Sequence, residues 1–401
     1  MPVPSRTSKL TSRTRRWLLA TAAAAATAAG LTAPAFADDT VKLGLVAAMS
    51  GQSAKSGEAI VRGLSVAIDE INAKGGLLGK KVELVVRDDE SNPAKGVVAA
   101  RELVQREKVA ALFGGLDTPV SIAIVPFANQ SKVPFMGVWA AGTPITRNGA
   151  AENYVFRVSA VDVLVDKALV DYAVKKYSAK KPGMILINNP WGESNEAGLK
   201  AALADKNIPA AGIEKFQDAD VDVVPQLTRL KEAGADVLFM VANVAPSSQV
   251  VKSLDHMGWN VPIVSHWGPA GGRFSELAGP SGQRVHFIQT FSFSGKLSPK
   301  AEGVLAALKA KYPAIKTLAD VTPAVGIANA YDAMHLTALA IAKAGSTEGP
   351  KIREAFYAID KYDGLIKSYS KPFTPTNQDA LSSDDYLFTY FKEGEILPLT
   401  N

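Results

Sequence analysis

Short unbroken apolar runs alternate along the chain with longer stretches whose apolar positions recur at helical spacing. Val41 to Ala47 is the first such run and predicts a buried parallel strand. A small-residue loop follows, Met49-Ser50-Gly51 through Ser56-Gly57. A helix comes next, with Ile60, Leu64, Ile68 and Ile71 on one face and Gly75-Gly76 as its stop. The same alternation predicts strands at Val82–Val86, Ala110–Phe113 and Val133–Met136. It places helices after Pro93 and from Pro119 to Asn129.

The pattern restarts after Tyr154-Val155-Phe156-Arg157. A helix over Asp162–Tyr177 leads to a strand at Met184–Ile187 and a helix ending near Lys206. A strand at Val237–Val241, a helix over Ser247–Met257 and a strand at Ile263–Val264 follow. Val285–Phe293 reads as an extended crossing segment. Helices then run over Pro299–Lys311, Pro323–Ala344 and Pro350–Ile359, before a turn-rich Lys361–Thr376 and a late strand at Tyr386–Phe391. Repetition of this kind predicts two α/β units, each a parallel sheet with right-handed crossovers. Ligands of such sheets sit beyond the carboxyl ends of the strands, so the post-strand loops are candidate pocket walls.

Length and composition agree with two folded lobes: 401 residues, 47% hydrophobic and 21% charged. The amino terminus changes the charge picture. Arg13, Arg15 and Arg16 precede an alanine-rich apolar run from Trp17 to about Leu31, and Ala35-Phe36-Ala37 has the small-x-small form of a cleavage site. Residues 1–37 therefore read as an export signal, cleaved after Ala37. Thr14-Arg15-Arg16-Trp17 fits either a twin-arginine or an ordinary secretory signal. The basic residues of that segment account for the formal net charge of +5, which leaves the mature chain near neutral and without a nucleic-acid signature. Cysteine is absent, which excludes disulfides, thiol chemistry and a lipid-modified cysteine.

A search for catalytic motifs is mostly negative. Gly75-Gly76-Leu77-Leu78-Gly79-Lys80 superficially resembles a phosphate loop, but it follows a helix and has Lys81 where a hydroxyl residue is required. No GxSxG or HExxH motif is present, and His256, His266, His286 and His335 lack ligand spacing, so no metal site is expected. Asp88-Asp89-Glu90 and Asp384-Asp385 read as solvated carboxylates. Trp139, Trp191 and Trp267 stand out instead, each just after a predicted strand, in both α/β units. Three rings lining one cleft suit a flat apolar ligand or a cation.

Taken together, Met49-Ser50-Gly51, Ile71-Asn72-Ala73-Lys74-Gly75-Gly76, Asp88-Asp89, Val133-Pro134-Phe135, Phe156-Arg157 and Gly234-Ala235-Asp236-Val237 resemble the periplasmic leucine/isoleucine/valine-binding proteins of ABC importers, over residues 41–395. The resemblance implies a type I periplasmic binding protein: two doubly wound parallel-sheet α/β lobes joined by three hinge crossovers. The crossovers would lie near Tyr154–Arg157, Val285–Phe293 and Leu365–Phe373. Lobe 1 would then comprise 38–156 and 289–367, and lobe 2 would comprise 157–288 and 368–401.

The resemblance also implies ligand contacts. Ser56 stands where the family usually has an aromatic residue, and Thr118 matches the hydroxyl residue that binds the amino acid carboxylate. Trp139 and Ala141 match the next loop, Trp191 matches an aromatic residue of the second lobe, and Asn243 takes a tyrosine position. The acidic residue that pairs with the α-ammonium falls at Trp267, and a buried ammonium without a carboxylate is costly. Asp117 offers a negative charge from the other lobe, or a helix cap before Pro119.

The implied function is non-enzymatic and needs no cofactor. It is periplasmic capture of a small amino acid or related carboxylate by hinge closure, for delivery to an inner-membrane ABC permease, by a monomer. Aromatic acids, quaternary amines and a sensory ligand-binding role remain open as alternatives.

Overall fold

The computed structural model describes residues 1–2 and 40–399. The expected export signal lies outside the described residues except for its first two. Among the described residues no helix is long and apolar enough to cross a membrane.

The first sheet grows from β1 (Thr40–Ala47), in which Val41, Leu43, Leu45, Val46 and Ala47 are all buried. Both faces of this strand are covered, which is why its sequence runs apolar instead of alternating. Helix α1 (Ala54–Ala73) buries Ile60, Leu64, Ile68 and Ile71. It is followed by β2 (Lys81–Asp88), α2 (Pro93–Gln105), β3 (Leu112–Gly114), α3 (Thr118–Ser131), β4 (Phe135–Gly137) and β5 (Val155–Arg157). Helix α2 begins as its sequence dictates: Pro93 occupies the first turn, and the Asn92 side chain accepts the N–H groups of Ala94 and Lys95. The five strands are parallel in the order β2-β1-β3-β4-β5.

The second lobe repeats the scheme with α4 (Asp162–Tyr177), β6 (Gly183–Ile187), α5 (Pro190–Ala204), β7 (Gly212–Phe216), α6 (Val224–Glu232), β8 (Leu238–Val241), α7 (Val244–His256), β9 (Ile263–Ser265) and β10 (Val285–Gln289). Its sheet has the order β14-β13-β10-β9-β8-β6-β7, and the late strands β13 (Leu387–Lys392) and β14 (Glu395–Pro398) run antiparallel at one edge. The sequence pattern does not predict β7 or α6. β7 is an edge strand carrying Glu214 and Lys215, and α6 buries only Leu227 and Leu230, so neither shows a strong apolar rhythm.

After β10 the chain returns to the first lobe through α8 (Pro299–Lys311), α9 (Ala324–Ala344), α10 (Gly349–Tyr357) and the hairpin β11 (Lys361–Asp363) and β12 (Ser368–Ser370). α9 lies directly on α1. A Cβ at Gly63 would stand 2.2 Å from the Ile327 carbonyl oxygen, so only glycine lets the two backbones approach. Asp332 of α9 then accepts the N–H groups of Leu365 and Ile366 and the Tyr369 hydroxyl, which fastens the hairpin.

The last passage between lobes comes later in the chain than the resemblance implies. The Arg157 N–H donates to the Gln378 carbonyl and the Ala380 N–H donates to the Arg157 carbonyl, both at 2.9 Å. The Arg157 side chain, fully buried, donates to the Asp379 carboxylate at 2.8 Å and to the Gly142 carbonyl at 2.9 Å. Residues 368–380 are thereby held with the first lobe, and the crossing to β13 follows them rather than lying at Leu365–Phe373.

Candidate functional site

The carboxyl ends of the central strands of both sheets face one cleft. Thr118 opens α3, Trp139 and Ala141 follow β4, Trp191 lies in the first turn of α5 after β6, Asn243 precedes α7 after β8, and Trp267 follows β9. These six line one cavity of about 20 Å³, together with Asp117 and Asn189. Ser56, in the first turn of α1, lines an adjoining cavity of about 10 Å³ that shares Leu116, Trp139 and Asn243 with it. The structure thus gathers all seven expected positions around one cleft.

Several contacts join the lobes across this cleft. The Ser56 hydroxyl donates to the Gly271 carbonyl at 2.8 Å, and the Asn243 amide donates to the Asp117 carboxylate at 3.2 Å. The Thr143 N–H donates to the Ser194 hydroxyl at 3.1 Å. The Trp139 and Trp267 rings meet at 5.6 Å between centroids with a 41° tilt. Ring pairs in this range attract beyond the area they bury.

The tryptophans of the second lobe are fixed from behind. One oxygen of Asp162, at the start of α4, accepts the Trp191 indole N–H at 3.2 Å and lies 3.0 Å from His266 Nε2. The other ring nitrogen of His266, Nδ1, accepts the Trp267 backbone N–H at 2.8 Å, so the proton facing Asp162 belongs to Nε2. Asp162 and His266 are both fully buried. One helical turn further on, Asp166 is buried with neither carboxyl oxygen hydrogen-bonded, and burial beside Asp162 pushes its carboxyl well above the usual range.

Asp117 occupies the cap position of α3 but makes no side-chain cap bond. One of its oxygens takes the Asn243 contact, and the other is buried without a hydrogen bond. Burial raises its carboxyl, and Ser91 and Asn243 beside it oppose the rise. Burial also lifts Asp89 to about 7 against the Ser91 N–H, with the charges of Asp117 and Asp88 adding to the rise. Asp218, from the second lobe, is raised by burial and then by Asp117. Among the described residues, Asp117 is the only ionisable side chain lining either cavity, and no group of metal-ligating side chains is present.

Sequence reasoning left out Asn189, Asp162 and His266. Asn189 could have been found: an asparagine before Pro190 signals a helix cap, and its side chain accepts the N–H groups of Trp191 and Gly192. Asp162 and His266 had no local signal, since they are brought together only by packing of α4 beside β9.

The periplasmic binding protein family matches residues 40–392. A curated relative from Brucella melitensis, Leu/Ile/Val-binding protein homolog 3, is 27% identical over 383 residues, covering 95% of this chain and 99% of its own. A type 1 periplasmic binding protein from Bordetella pertussis superposes with a TM-score of 0.82 at 22% identity, over 90% of this chain and all of the other. A solute-binding protein of an ABC transporter from R. palustris, solved with 4-hydroxybenzoate, gives a TM-score of 0.76 at 24% identity, over 90% and 95% of the two chains. The paired sheets, the cleft between their strand ends and a match spanning both lobes lead to one conclusion: this chain belongs to the periplasmic binding protein family, as a solute-binding protein of the leucine/isoleucine/valine-binding type.

Proposed function

We propose that the protein captures a small amino acid or related carboxylate between its lobes in the periplasm and presents it to an inner-membrane ABC permease. The observation that carries this reading is the cavity whose walls come from both lobes, with Thr118, Trp139 and Ala141 on one side and Trp191, Asn243 and Trp267 on the other. A ligand there touches both lobes only when they are closed, and that difference in contact drives closure. The seven expected residues act as the contact set. Export through the segment 1–37 delivers the chain to the periplasm, where it works as a monomer without a cofactor.

A second reading is an aromatic acid. The Trp139 and Trp267 rings favour it, and the R. palustris relative was solved with 4-hydroxybenzoate. A thermal-shift panel of amino acids, benzoates and amines, combined with solution scattering, tests both. A ligand at 100 times its dissociation constant adds about 2.7 kcal/mol of stability. Stabilisation by leucine or valine with compaction is the expected result. Stabilisation by benzoates alone selects the second reading, and a ligand that stabilises without compaction counts against hinge closure.

A further inference from the structure

We infer that the second lobe carries another binding site, away from the cleft, which takes a small aromatic carboxylate. The site lies between the last turns of α4 and the strands β13 and β14, in a surface cavity of about 350 Å³. None of its lining residues belongs to the two cavities of the cleft, the larger of which measures about 20 Å³. Several hundred cubic ångströms is the usual size of a pocket for a small organic molecule.

Charge narrows the occupant first. Lys175 and Lys176 stand on the α4 side of the cavity, and neither forms an ion pair with a described residue. Tyrosines aside, they are the only ionisable side chains lining it among the described residues, so the field inside is positive. A carboxylate supplies the counter-charge and accepts charge-assisted hydrogen bonds from the ammonium groups.

Shape narrows it further. The rest of the lining is apolar or aromatic, and Leu387 in it is left 39% exposed. The Phe388 and Tyr172 rings stack with 3.8 Å between centroids and a 13° tilt, which offers aromatic surface to a flat ligand ring. These walls are already fixed. The Tyr172 hydroxyl meets Nδ1 of His286 at 2.8 Å, the Tyr386 hydroxyl accepts the Val161 N–H at 3.1 Å, and the Leu399 N–H donates to the Phe388 carbonyl at 2.8 Å. A ligand entering a preorganised cavity does not have to order its walls.

Calorimetry with 2-naphthoate and its uncharged counterpart 2-naphthamide tests the assignment. The titrations use the mature protein, Trp267→Ala, and Trp267→Ala combined either with Lys175→Ala and Lys176→Ala or with Leu387→Asp. Trp267→Ala removes a wall of the cleft, so that binding there is told apart from binding at the outer site. The three outer residues are exposed, and replacing them spares the core. The expected result is naphthoate binding to the mature protein that persists in Trp267→Ala. Its affinity should fall by about tenfold or more in each combined variant, and Trp267→Ala should bind naphthamide at least about tenfold more weakly than naphthoate. Loss of naphthoate binding in Trp267→Ala puts the compound in the cleft and overturns the outer site. Affinity unchanged by the lysine substitutions or by Leu387→Asp overturns it too, as does the absence of naphthoate binding to the mature protein. Equal affinity for naphthamide overturns the carboxylate assignment.

Discussion

The carboxylate of Asp162 reaches the indole nitrogen of Trp191 at 3.2 Å, and the same oxygen lies 3.0 Å from Nε2 of His266. A single buried oxygen therefore orients two rings of the second lobe, and through the His266–Trp267 contact it also fixes the backbone of a third. Replacing Asp162 by Ala leaves two buried N–H donors without an acceptor. Each such orphan costs about 1–3 kcal/mol. Urea denaturation should show a loss of that order for the pair, with a changed tryptophan emission in the folded state. Asp162→Asn, which keeps one acceptor, should recover part of it.

Arg157 and Asp379 tie the first crossover to the segment before the last one. Both are buried, and Arg157 also braces the cleft loop through the Gly142 carbonyl. Removing one member of such a pair strands the other, at about 3–5 kcal/mol. Arg157→Met should lower the unfolding free energy by that amount, read from urea denaturation. The double variant Arg157→Met with Asp379→Leu should lose less than the single one, and an additive loss would show that the ion pair is not what holds the segment.

Trp267 faces Trp139 across the cleft. Trp267→Ala should weaken ligand binding tenfold or more in calorimetry. Unchanged affinity would remove Trp267 from the contact set.

Asp89 gives a pH signature. Its carboxyl is raised to about 7 in the folded protein, chiefly by burial, against about 4 for an unfolded chain. The folded state therefore binds the extra proton between those values, and stability drains away as pH rises from about 4 to about 7. Asp89→Asn keeps an acceptor for the Ser91 N–H and removes this loss. The variant's advantage over wild type should be absent near pH 4, grow by up to about 1.4 kcal/mol per pH unit and level off above pH 7. Melting temperatures of the two proteins at pH 4, 5.5 and 8 check the sign.

Much of this molecule is legible in its sequence. The α4 and α8 boundaries, Asp162–Tyr177 and Pro299–Lys311, fall where helical periodicity and the proline at position 299 put them. The post-strand loops carry the cleft, and the three tryptophans meet there because each follows a central strand. What stayed hidden depends on contacts between distant residues. The Arg157–Asp379 pair spans 222 positions and moves the last crossover, and Asp162–His266 spans 104. No local pattern encodes either one. β7 was hidden for the opposite reason, since an edge strand needs no apolar run.

The close approach of α1 and α9 at Gly63 and Ile327 bears on how the chain is made. The opening helix finds its partner only when residues 324–344 have been synthesised, after nearly all of the second lobe. The first lobe is thus begun early and finished late. A chain emerging amino end first carries the side of α1 that meets α9 uncovered for most of its length. Truncation anywhere before α9 should leave the first lobe open, however complete its sheet.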